Sequence, residues 1–148
     1  MGKYDIGIIG GGPAGYTSAL YYSKMGKKVI LFEKDELGGT CLNRGCIPTK
    51  AFLHVADLYH ELKTADKIGI QADNLKLDFE KIKEYKNNVV NKLRKGLELS
   101  LKNNGITVIK SVAEISAPNT ISSDGTDYHF EKIIIASGSK PKEIKGLE

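Results

Sequence analysis

Short apolar runs and one long apolar stripe divide this chain into elements of two kinds. Residues 4–9 form a β-branched run that ends in glycines, and residues 28–33 contain four consecutive apolar side chains. Both runs predict strands, the second one buried on both faces as in a parallel sheet. Between them, residues 13–25 predict a helix that begins at a proline and ends at Gly26. Strand, helix and strand predict a βαβ unit.

The middle of the chain has the periodicity of helices. We expect one helix over about residues 49–65 and another over about 79–104, with Asp78 as its N-cap and Gly105 just beyond its end. Apolar residues recur at intervals of three or four along the second helix and predict a stripe packed in the core. Its members are Phe79, Ile82, Tyr85, Val89, Leu93, Leu97 and Leu101.

The last third returns to strands. Residues 106–109 predict a third parallel strand, and residues 113–130 predict a small antiparallel excursion with a hairpin at Asp124 and Gly125. Residues 133–136 predict a fourth buried strand, and a polar loop follows from residue 138. The whole pattern predicts an α/β fold with a Rossmann-like parallel sheet, of the FAD/NAD(P)-binding type, and a small antiparallel β excursion.

Length and composition narrow the class of protein. The 148 residues, 41% apolar and 27% charged, suit one globular domain. No apolar run approaches the ~20 residues of a membrane span, and the first residues lack the pattern of a secretory signal. We therefore expect a cytoplasmic protein without a membrane partner.

The charge does not predict a nucleic-acid partner. The net charge is +4 and arises mostly from lysines, since only Arg44 and Arg94 are arginines. Lysines and glutamates alternate along the second predicted helix, which is typical of a solvated helix face rather than of a basic stripe for nucleic acid.

A glycine-rich motif joins the first strand to the first helix. The sequence from Gly10 to Gly15 fits G-x-G-x-x-G, in which Gly10 allows the tight turn, Gly12 the approach of a pyrophosphate, and Gly15 close packing of the helix on the strand. The helix N-terminus offers N–H groups to the phosphates. Glu33 ends the next strand, where a carboxylate accepts hydrogen bonds from ribose hydroxyls and repels a 2′-phosphate. The motif predicts NAD or the ADP half of FAD, rather than NADP.

Two cysteines, Cys41 and Cys46, follow the βαβ unit. Two thiols do not complete a four-ligand zinc site, and His54 and His60 are not placed to complete it, so we expect no metal. Because a cytosolic protein rarely keeps a structural disulfide, the pair is either redox-active or a pair of inert buried side chains.

The spacing of the cysteines bears on that choice. In a regular helix the rise along the axis alone would separate their Cα atoms by roughly 7.5 Å, whereas a disulfide needs a Cα–Cα distance of about 7 Å or less. The pair therefore closes only where the backbone departs from a helix, and Gly45 permits this. Pro48 favours a first helical turn, which places Cys46 near a helix N-terminus that stabilises a thiolate, and Lys50 adds a positive charge.

The two motifs together resemble those of the pyridine nucleotide–disulfide oxidoreductases. The string GGTCLNRGCIPTK is most similar to that of the dihydrolipoamide dehydrogenases, whereas glutathione and mercuric reductases typically have Val in place of Leu42 and Ile47. Arg44 stands where many members have Val. The string IIIASGSKP, residues 133–141, is similar to the family's second flavin signature, A-T-G-S-x-P, with Ser137 in place of Thr. The resemblance covers all 148 residues.

This resemblance implies roles for individual residues. Cys46 would be the thiol beside the flavin and Cys41 the thiol that exchanges with substrate. FAD would lie extended along the domain, with its pyrophosphate at the glycine turn, its adenosine ribose at Glu33 and its adenine at the backbone of Ala113. The implied cofactor-binding residues are Gly10, Gly12, Pro13, Ala14, Gly15, Glu33, Lys34, Gly39, Thr40, Lys50, Ala113, Ser137 and Gly138.

The resemblance also implies an activity and partners. Dihydrolipoyl groups, carried by a domain of a 2-oxo acid dehydrogenase or of the glycine cleavage system, would reduce the disulfide. Electrons would pass through FAD to NAD, and the parent enzyme would be a homodimer. Members of the family continue with NAD-binding and interface domains, and the second G-x-G-x-x-G and the His–Glu pair of those domains are absent here. We therefore expect residues 1–148 to be the N-terminal part of an FAD-binding domain, inactive alone.

Two alternatives remain open at this point. The first is a related flavin disulfide reductase that acts on glutathione-like disulfides or mercuric ion. The second is a catalytically incomplete unit that only binds flavin or assists folding.

Overall fold

The computed structural model describes residues 4–142, 144 and 146. The strands are β1 (Tyr4–Ile9), β2 (Val29–Phe32), β3 (Thr107–Ile109), β4 (Ala113–Ala117), β5 (Thr120–Ser123) and β6 (Thr126–Ile135). The helices are α1 (Pro13–Lys24), α2 (Gly39–Arg44), α3 (Cys46–Lys63) and α4 (Phe79–Asn103), with a 3₁₀ turn at Ala65–Ile68. The described part of the polar loop predicted from residue 138 has no regular element, and residues 143, 145, 147 and 148 of it lie outside the described residues.

The chain divides into two compact units. The first consists of Met1–Gly39 and Leu99–Glu148, and the second of Thr40–Glu98. All six strands and α1 belong to the first unit, and α3 belongs to the second.

The first unit is built on a sheet with the strand order β3-β2-β1-β6-β5-β4. The strands from β3 to β6 in this order are parallel, while β4, β5 and β6 form an antiparallel meander. Every residue of β2 is buried, as its continuous apolar run predicted. The fold class, the βαβ unit and the third parallel strand are thus confirmed.

The ends of α1 and the hairpin follow from local turn chemistry. Pro13 occupies the first turn of α1, and Gly26 follows the helix with φ +77°. Asp124 and Gly125 have φ values of +47° and +73° between β5 and β6, which is the backbone of a two-residue type I′ hairpin. Both predictions from sequence are confirmed.

The fourth strand differs from its prediction. Residues 133–136 were expected to form a separate buried strand, whereas β6 runs without a break from Thr126 to Ile135. Its first half pairs antiparallel with β5 and its second half pairs parallel with β1. Ile135 is 67% exposed, so the prediction of burial is wrong there. Since one strand serves both arrangements, the meander is joined directly to the parallel sheet.

The core of the first unit forms where the meander packs on the parallel strands. Ile30 and Phe32 of β2 contact Ile121 of β5 and Phe130 of β6 in one buried cluster. Gly7 of β1 lies under it, and a Cβ atom there would come within 2.7 Å of both the Ile121 and the Phe130 side chains. A side chain at Gly7 would therefore displace the meander.

The second unit corrects two predictions. The helix predicted over about residues 49–65 begins earlier, at Cys46, and residues 39–44 form a further helix that was not predicted, so the chain is helical on both sides of Gly45. The stripe of α4 was expected in the core, yet Phe79 is 63% exposed and Tyr85 is 43% exposed.

The contacts of α4 explain this exposure. Phe79 stacks on Phe52 of α3 with ring centroids 6.3 Å apart, and Tyr85 lies 6.4 Å from the ring of His54. These aromatic contacts cover single ring faces and leave Phe79 and Tyr85 largely exposed, as Leu93 also is, whereas Ile82, Val89 and Leu97 are partly buried. Of the seven stripe residues, Leu101 is fully buried, and it belongs to the first unit.

Candidate functional site

The glycine-rich turn of the first unit leaves the carboxyl end of β1. Gly10 has φ +106°, and a Cβ atom there would overlap the carbonyl oxygen of Ala136. A Cβ atom at Gly15 would overlap the carbonyl oxygen of Gly10. Both overlaps are with backbone atoms, which cannot move aside cheaply. The conformational reasons predicted for these two glycines, a tight turn and close packing of helix on strand, are therefore confirmed.

The N-terminus of α1 is open to a ligand. Its N-cap is Gly12, no side chain caps the helix, and its first turn contains no acidic residue. Pro13 and Ala14 are exposed on this first turn. Around Gly12, the atom nearest to a notional Cβ is the Cα of Gly39, at 3.8 Å. The uncapped N–H groups and the missing side chain suit a phosphate group, so the residues present fit a dinucleotide.

The segment after β2 lies against the turn. Gly38 donates from its backbone N–H to the carbonyl oxygen of Gly11 at 2.9 Å. Gly39 has φ +61°, and a Cβ atom there would lie 2.8 Å from the Cα of Gly12. The buried Leu37 side chain covers Gly11. The glycines at 38 and 39 thus allow backbone to pack directly on backbone beside the glycine turn.

Glu33 lies at the start of this segment and uses both carboxylate oxygens. Its Oε2 accepts a hydrogen bond from Gly11 N–H at 2.6 Å, and its Oε1 accepts one from Asp35 N–H at 2.8 Å. The sequence motif predicts a ribose contact for Glu33 and no role for Gly11. The only available signal for Gly11 was that three glycines are consecutive where the motif requires two.

Residues 133–141, the segment similar to the family's second flavin signature, reach the same edge of the sheet. Ala136 donates to the carbonyl oxygen of Ile9 at 2.8 Å, which holds the end of β6 beside the glycine turn. Ser137 follows in an exposed position, and Gly138 has φ +71°. In sheets of this type ligands bind outside the carboxyl ends of the strands, where the chain order reverses. Here that point lies between β1 and β6.

Two further predicted residues lie around this edge. Lys34 is exposed directly after Glu33. Ala113 begins β4, the last strand in the pairing order, but it packs against the buried cluster that contains Phe32. The meander therefore brings Ala113 back to the strand that Glu33 follows.

The cysteine pair lies in the second unit. Cys41 in α2 and Cys46 at the start of α3 form a disulfide with a Cα–Cα distance of 4.8 Å. Gly45 separates the two helices with φ −125° and ψ −107°, and a Cβ atom there would lie 3.1 Å from the carbonyl oxygen of Thr40. The predicted departure from a helix at Gly45 is confirmed, and so is the position of Cys46 at a helix N-terminus.

The surroundings of the disulfide are accessible. Cys46 is the more exposed residue and Cys41 is partly buried. No side chain caps α3, and its first turn carries no acidic residue. Lys50, one turn on, and Thr40, next to Cys41, are both exposed. The arrangement allows a thiol from solution to reach the disulfide.

Residues 4–142, 144 and 146 contain neither a metal-binding cluster nor a membrane-spanning helix. No group of three or more His, Cys, Asp or Glu side chains is arranged to hold a metal ion. No helix in these ranges is long and apolar enough to cross a membrane.

Comparison with known proteins identifies relatives of this arrangement. The family model described as pyridine nucleotide-disulphide oxidoreductase matches residues 4–148. Dihydrolipoyl dehydrogenase of Staphylococcus aureus is 40% identical, over 97% of this chain and 32% of that protein. Dihydrolipoyl dehydrogenase of Thermus scotoductus is 41% identical, over 99% of this chain and 32% of that protein.

A solved structure agrees with these sequence relatives. The HOCl-induced flavoprotein disulfide reductase RclA of Escherichia coli, determined as a Cu(II) complex, superimposes with a TM-score of 0.78 at 33% identity. The match covers 95% of this chain and 29% of that protein. The chain therefore spans about a third of the length of the relatives it matches.

Proposed function

The chain belongs to the pyridine nucleotide-disulphide oxidoreductase family, and from that premise we propose that it is the FAD-binding, disulfide-bearing part of a dihydrolipoyl dehydrogenase. The observation that carries the proposal is the Cys41–Cys46 disulfide across the helix break at Gly45. We assign residues 1–148 to the N-terminal part of an FAD-binding domain, and binding of NAD and dimer formation to the part of the relatives that this chain does not match.

The glycine turn supports FAD as the cofactor. Gly12 and the uncapped start of α1 would hold the pyrophosphate, with Pro13 and Ala14 in the same turn. Glu33 would accept hydrogen bonds from the adenosine ribose. The other residues assigned to FAD are Gly10, Gly15, Lys34, Gly39, Thr40, Lys50, Ala113, Ser137 and Gly138. When bound, FAD supplies a two-electron acceptor for the reduced cysteine pair.

The cysteines themselves account for the exchange with substrate. One thiolate of a dithiol attacks Sγ of Cys41, the Cys41–Cys46 bond breaks, and Cys46 leaves as a thiolate at the N-terminus of α3. The second thiol of the substrate then attacks the mixed disulfide, which releases the cyclic disulfide product and the Cys41 thiol. Two electrons have moved from the dithiol to the cysteine pair. The helix N-terminus favours this direction because it stabilises the departing thiolate.

The names of the relatives support the substrate class. Proteins 40–41% identical to this chain are named dihydrolipoyl dehydrogenases. We therefore propose a dihydrolipoyl group on a carrier domain of a 2-oxo acid dehydrogenase or of the glycine cleavage system as the dithiol. NAD would accept the electrons, in a homodimeric parent enzyme.

The spectrum of the chain with added FAD tests the cofactor and the cysteine roles together. We expect a bound flavin, and on anaerobic titration with dihydrolipoamide a long-wavelength absorbance band that is absent from Cys46→Ser. The variant Cys41→Ser should keep the band without any added dithiol, because it leaves a free thiol at residue 46. Bound flavin without a band in any form would contradict the role assigned to Cys46.

A second candidate is a related disulfide reductase, favoured by the likeness to the Escherichia coli flavoprotein. The fold and the disulfide are common to both candidates, so the substrate decides between them. We expect dihydrolipoamide to reduce the cysteine pair faster than glutathione does, as measured by alkylation of the released thiols. Faster reduction by glutathione would favour the second candidate.

The third candidate is a unit that binds flavin or assists folding without turnover. It is consistent with the match to about a third of each relative. A steady-state assay of the 148-residue chain with dihydrolipoamide and NAD tests whether these residues turn over on their own, which neither this candidate nor the first one expects. We expect no NADH, since the residues assigned to NAD lie in the part of the relatives that this chain does not match. Sustained formation of NADH would contradict this.

A further inference from the structure

The carboxylate of Glu33 is engaged by the backbone before any ligand is bound. Oε2 accepts from Gly11 N–H at 2.6 Å and Oε1 accepts from Asp35 N–H at 2.8 Å. Hydrogen bonds from N–H groups to a carboxylate are about twice as strong as those to neutral acceptors. Glu33 is partly buried, which reduces competition from water for these bonds. The side chain is thus an anchored structural element as well as a candidate ribose ligand.

A hydrogen-bond donor to this carboxylate, Gly11, is the middle one of the three consecutive glycines in the glycine turn. Gly11 is buried, its N–H donates to Glu33, and its carbonyl oxygen accepts from Gly38 N–H at 2.9 Å. A Cβ atom at Gly11 would lie 2.7 Å from Cδ2 of Leu37 and 3.0 Å from Oε2 of Glu33. Gly11 is therefore enclosed by residues 33–38 on its N–H, its carbonyl and its Cα. We call residues 33–38 together with Gly11 the clasp.

We propose that Glu33 is a positioning residue that fixes the glycine turn through the clasp, and so contributes to phosphate binding independently of any contact with ribose. The turn has to direct the N–H groups at Gly12 and the start of α1 toward the phosphates. Glycine has the largest backbone freedom of any residue, and three consecutive glycines would otherwise lose much entropy when a ligand binds. Anchoring Gly11 on both sides of its Cα removes that freedom in advance.

A positioning role for Glu33 and simple repulsion of phosphate by its carboxylate predict opposite effects on nucleotide binding. A carboxylate near a phosphate site repels the anion, so removing its charge should strengthen binding of a nucleotide that makes no ribose contact. If Glu33 positions the turn, removing it should weaken binding of the same nucleotide. The inference deepens the proposed dinucleotide site, but its central contact, Glu33 to Gly11, exists without a ligand.

The first experiment measures hydrogen exchange and the chemical shift of the Gly11 amide in the ligand-free 148-residue chain. We expect a slowly exchanging, downfield-shifted amide that exchanges about tenfold faster or more in Glu33→Ala. Glu33→Gln keeps the side-chain volume but offers one neutral acceptor, so it should give an intermediate rate. The control Glu114→Gln removes the same charge from an exposed site of the same unit and should leave Gly11 unchanged.

The second experiment separates ribose binding from positioning. Affinities of ADP and of 2′,3′-dideoxy-ADP are compared in the wild-type chain and in both Glu33 variants. We expect Glu33→Ala to weaken the dideoxy nucleotide about fivefold or more, although this ligand has no ribose hydroxyls. Equal or tighter binding of the dideoxy nucleotide, with an unchanged Gly11 amide, would overturn the proposal. Failure of the wild-type chain to bind either nucleotide would count against the dinucleotide site, while the Gly11 amide would still decide the role of Glu33.

Discussion

At the scale of single residues, the fold requires glycine at several positions where a Cβ atom would overlap a neighbouring atom. Gly15 meets a backbone oxygen of Gly10, Gly11 meets Leu37 and Glu33, and Gly7 meets the meander. The G-x-G-x-x-G motif identified Gly15, because close packing of the helix on the strand is common to all turns with this motif. It did not identify Gly11 or Gly7, because their neighbours come from distant parts of the sequence.

Substitution of Gly15 tests the steric argument. We expect Gly15→Ala to lower the free energy of unfolding by about 1–3 kcal/mol or more, because the new Cβ overlaps a carbonyl oxygen. The corresponding fall in melting temperature is about 4 °C for each kcal/mol. The control is Gly96→Ala in α4, where a Cβ atom has no neighbour within 4 Å. This control should raise stability by about 0.5–1 kcal/mol through helix propensity. Equal effects of the two substitutions would contradict the argument.

Substitution of Gly45 tests how the cysteine pair is held together. Gly45→Ala places a Cβ atom 3.1 Å from the carbonyl oxygen of Thr40 in the disulfide form. In the dithiol form alanine favours a continuous helix through residue 45, in which the rise along the axis alone separates the cysteine Cα atoms by roughly 7.5 Å. We expect the disulfide to be reduced about fivefold more readily in a dithiothreitol redox buffer.

The measurement for Gly45→Ala is the fraction of free thiols by alkylation and mass spectrometry. Gly96→Ala is again the control, since it lies in the same unit and in a regular helix. It should leave the thiol–disulfide equilibrium unchanged. A disulfide that is equally or more resistant in Gly45→Ala would show that the glycine is not needed for closure.

At the scale of elements, the ends of α1 and α4 followed their sequence signals closely, whereas α3 begins three residues before its predicted start. Asp78 accepts a hydrogen bond from Lys81 N–H at 3.2 Å at the start of α4, and Gly105 follows its end with φ +69°. The boundaries of β6 and α2 could not be predicted from local sequence signals. β6 continues through the point where its pairing changes from antiparallel to parallel, and α2 begins at a glycine with positive φ.

The cap of α4 gives a prediction at this scale. Asp78→Ala should lower the free energy of unfolding by about 1 kcal/mol. The substitution removes the side-chain acceptor for the Lys81 N–H in the first turn of α4. The matched control is Asp73→Ala, in the exposed segment before the helix. Thermal unfolding monitored by circular dichroism compares the two variants. A loss of the same size in both would indicate a general effect of charge rather than a cap.

At the scale of the whole molecule, two units carry two different chemistries. The glycine turn, the clasp and the second flavin signature lie in the first unit, and the disulfide lies in the second. We propose that the first unit binds the ADP half of a dinucleotide, because its glycine turn combines an uncapped helix N-terminus that suits phosphates with a carboxylate that suits ribose.

This division predicts how nucleotides protect the chain. ADP should slow hydrogen exchange in residues 10–15 and 37–39 of the first unit and leave the amides of α3 unchanged. FMN, which has no adenosine, should protect residues 10–15 much less at equal concentration. Hydrogen exchange with mass spectrometry measures both. Equal protection by FMN would contradict assignment of the glycine turn to the ADP half.

The sequence by itself determined the βαβ unit, the glycine turn, the helix break at Gly45 and the closeness of the two cysteines. Each of these depends on turn chemistry, helix periodicity or the reach of a few residues, all of which are local. The family followed from the same short motifs. These features could be predicted because no distant neighbour is needed to produce them.

The tertiary structure alone decided what surrounds those motifs. It placed Glu33 on Gly11, returned Ala113 to the cluster around Phe32, and left Phe79 of the α4 stripe exposed. An apolar period indicates which face of a helix is apolar but not whether another element covers it. A carboxylate at the end of a strand likewise has several possible donors within reach. Which of them it meets depends on how residues far apart in the sequence pack, and only the folded chain determines that.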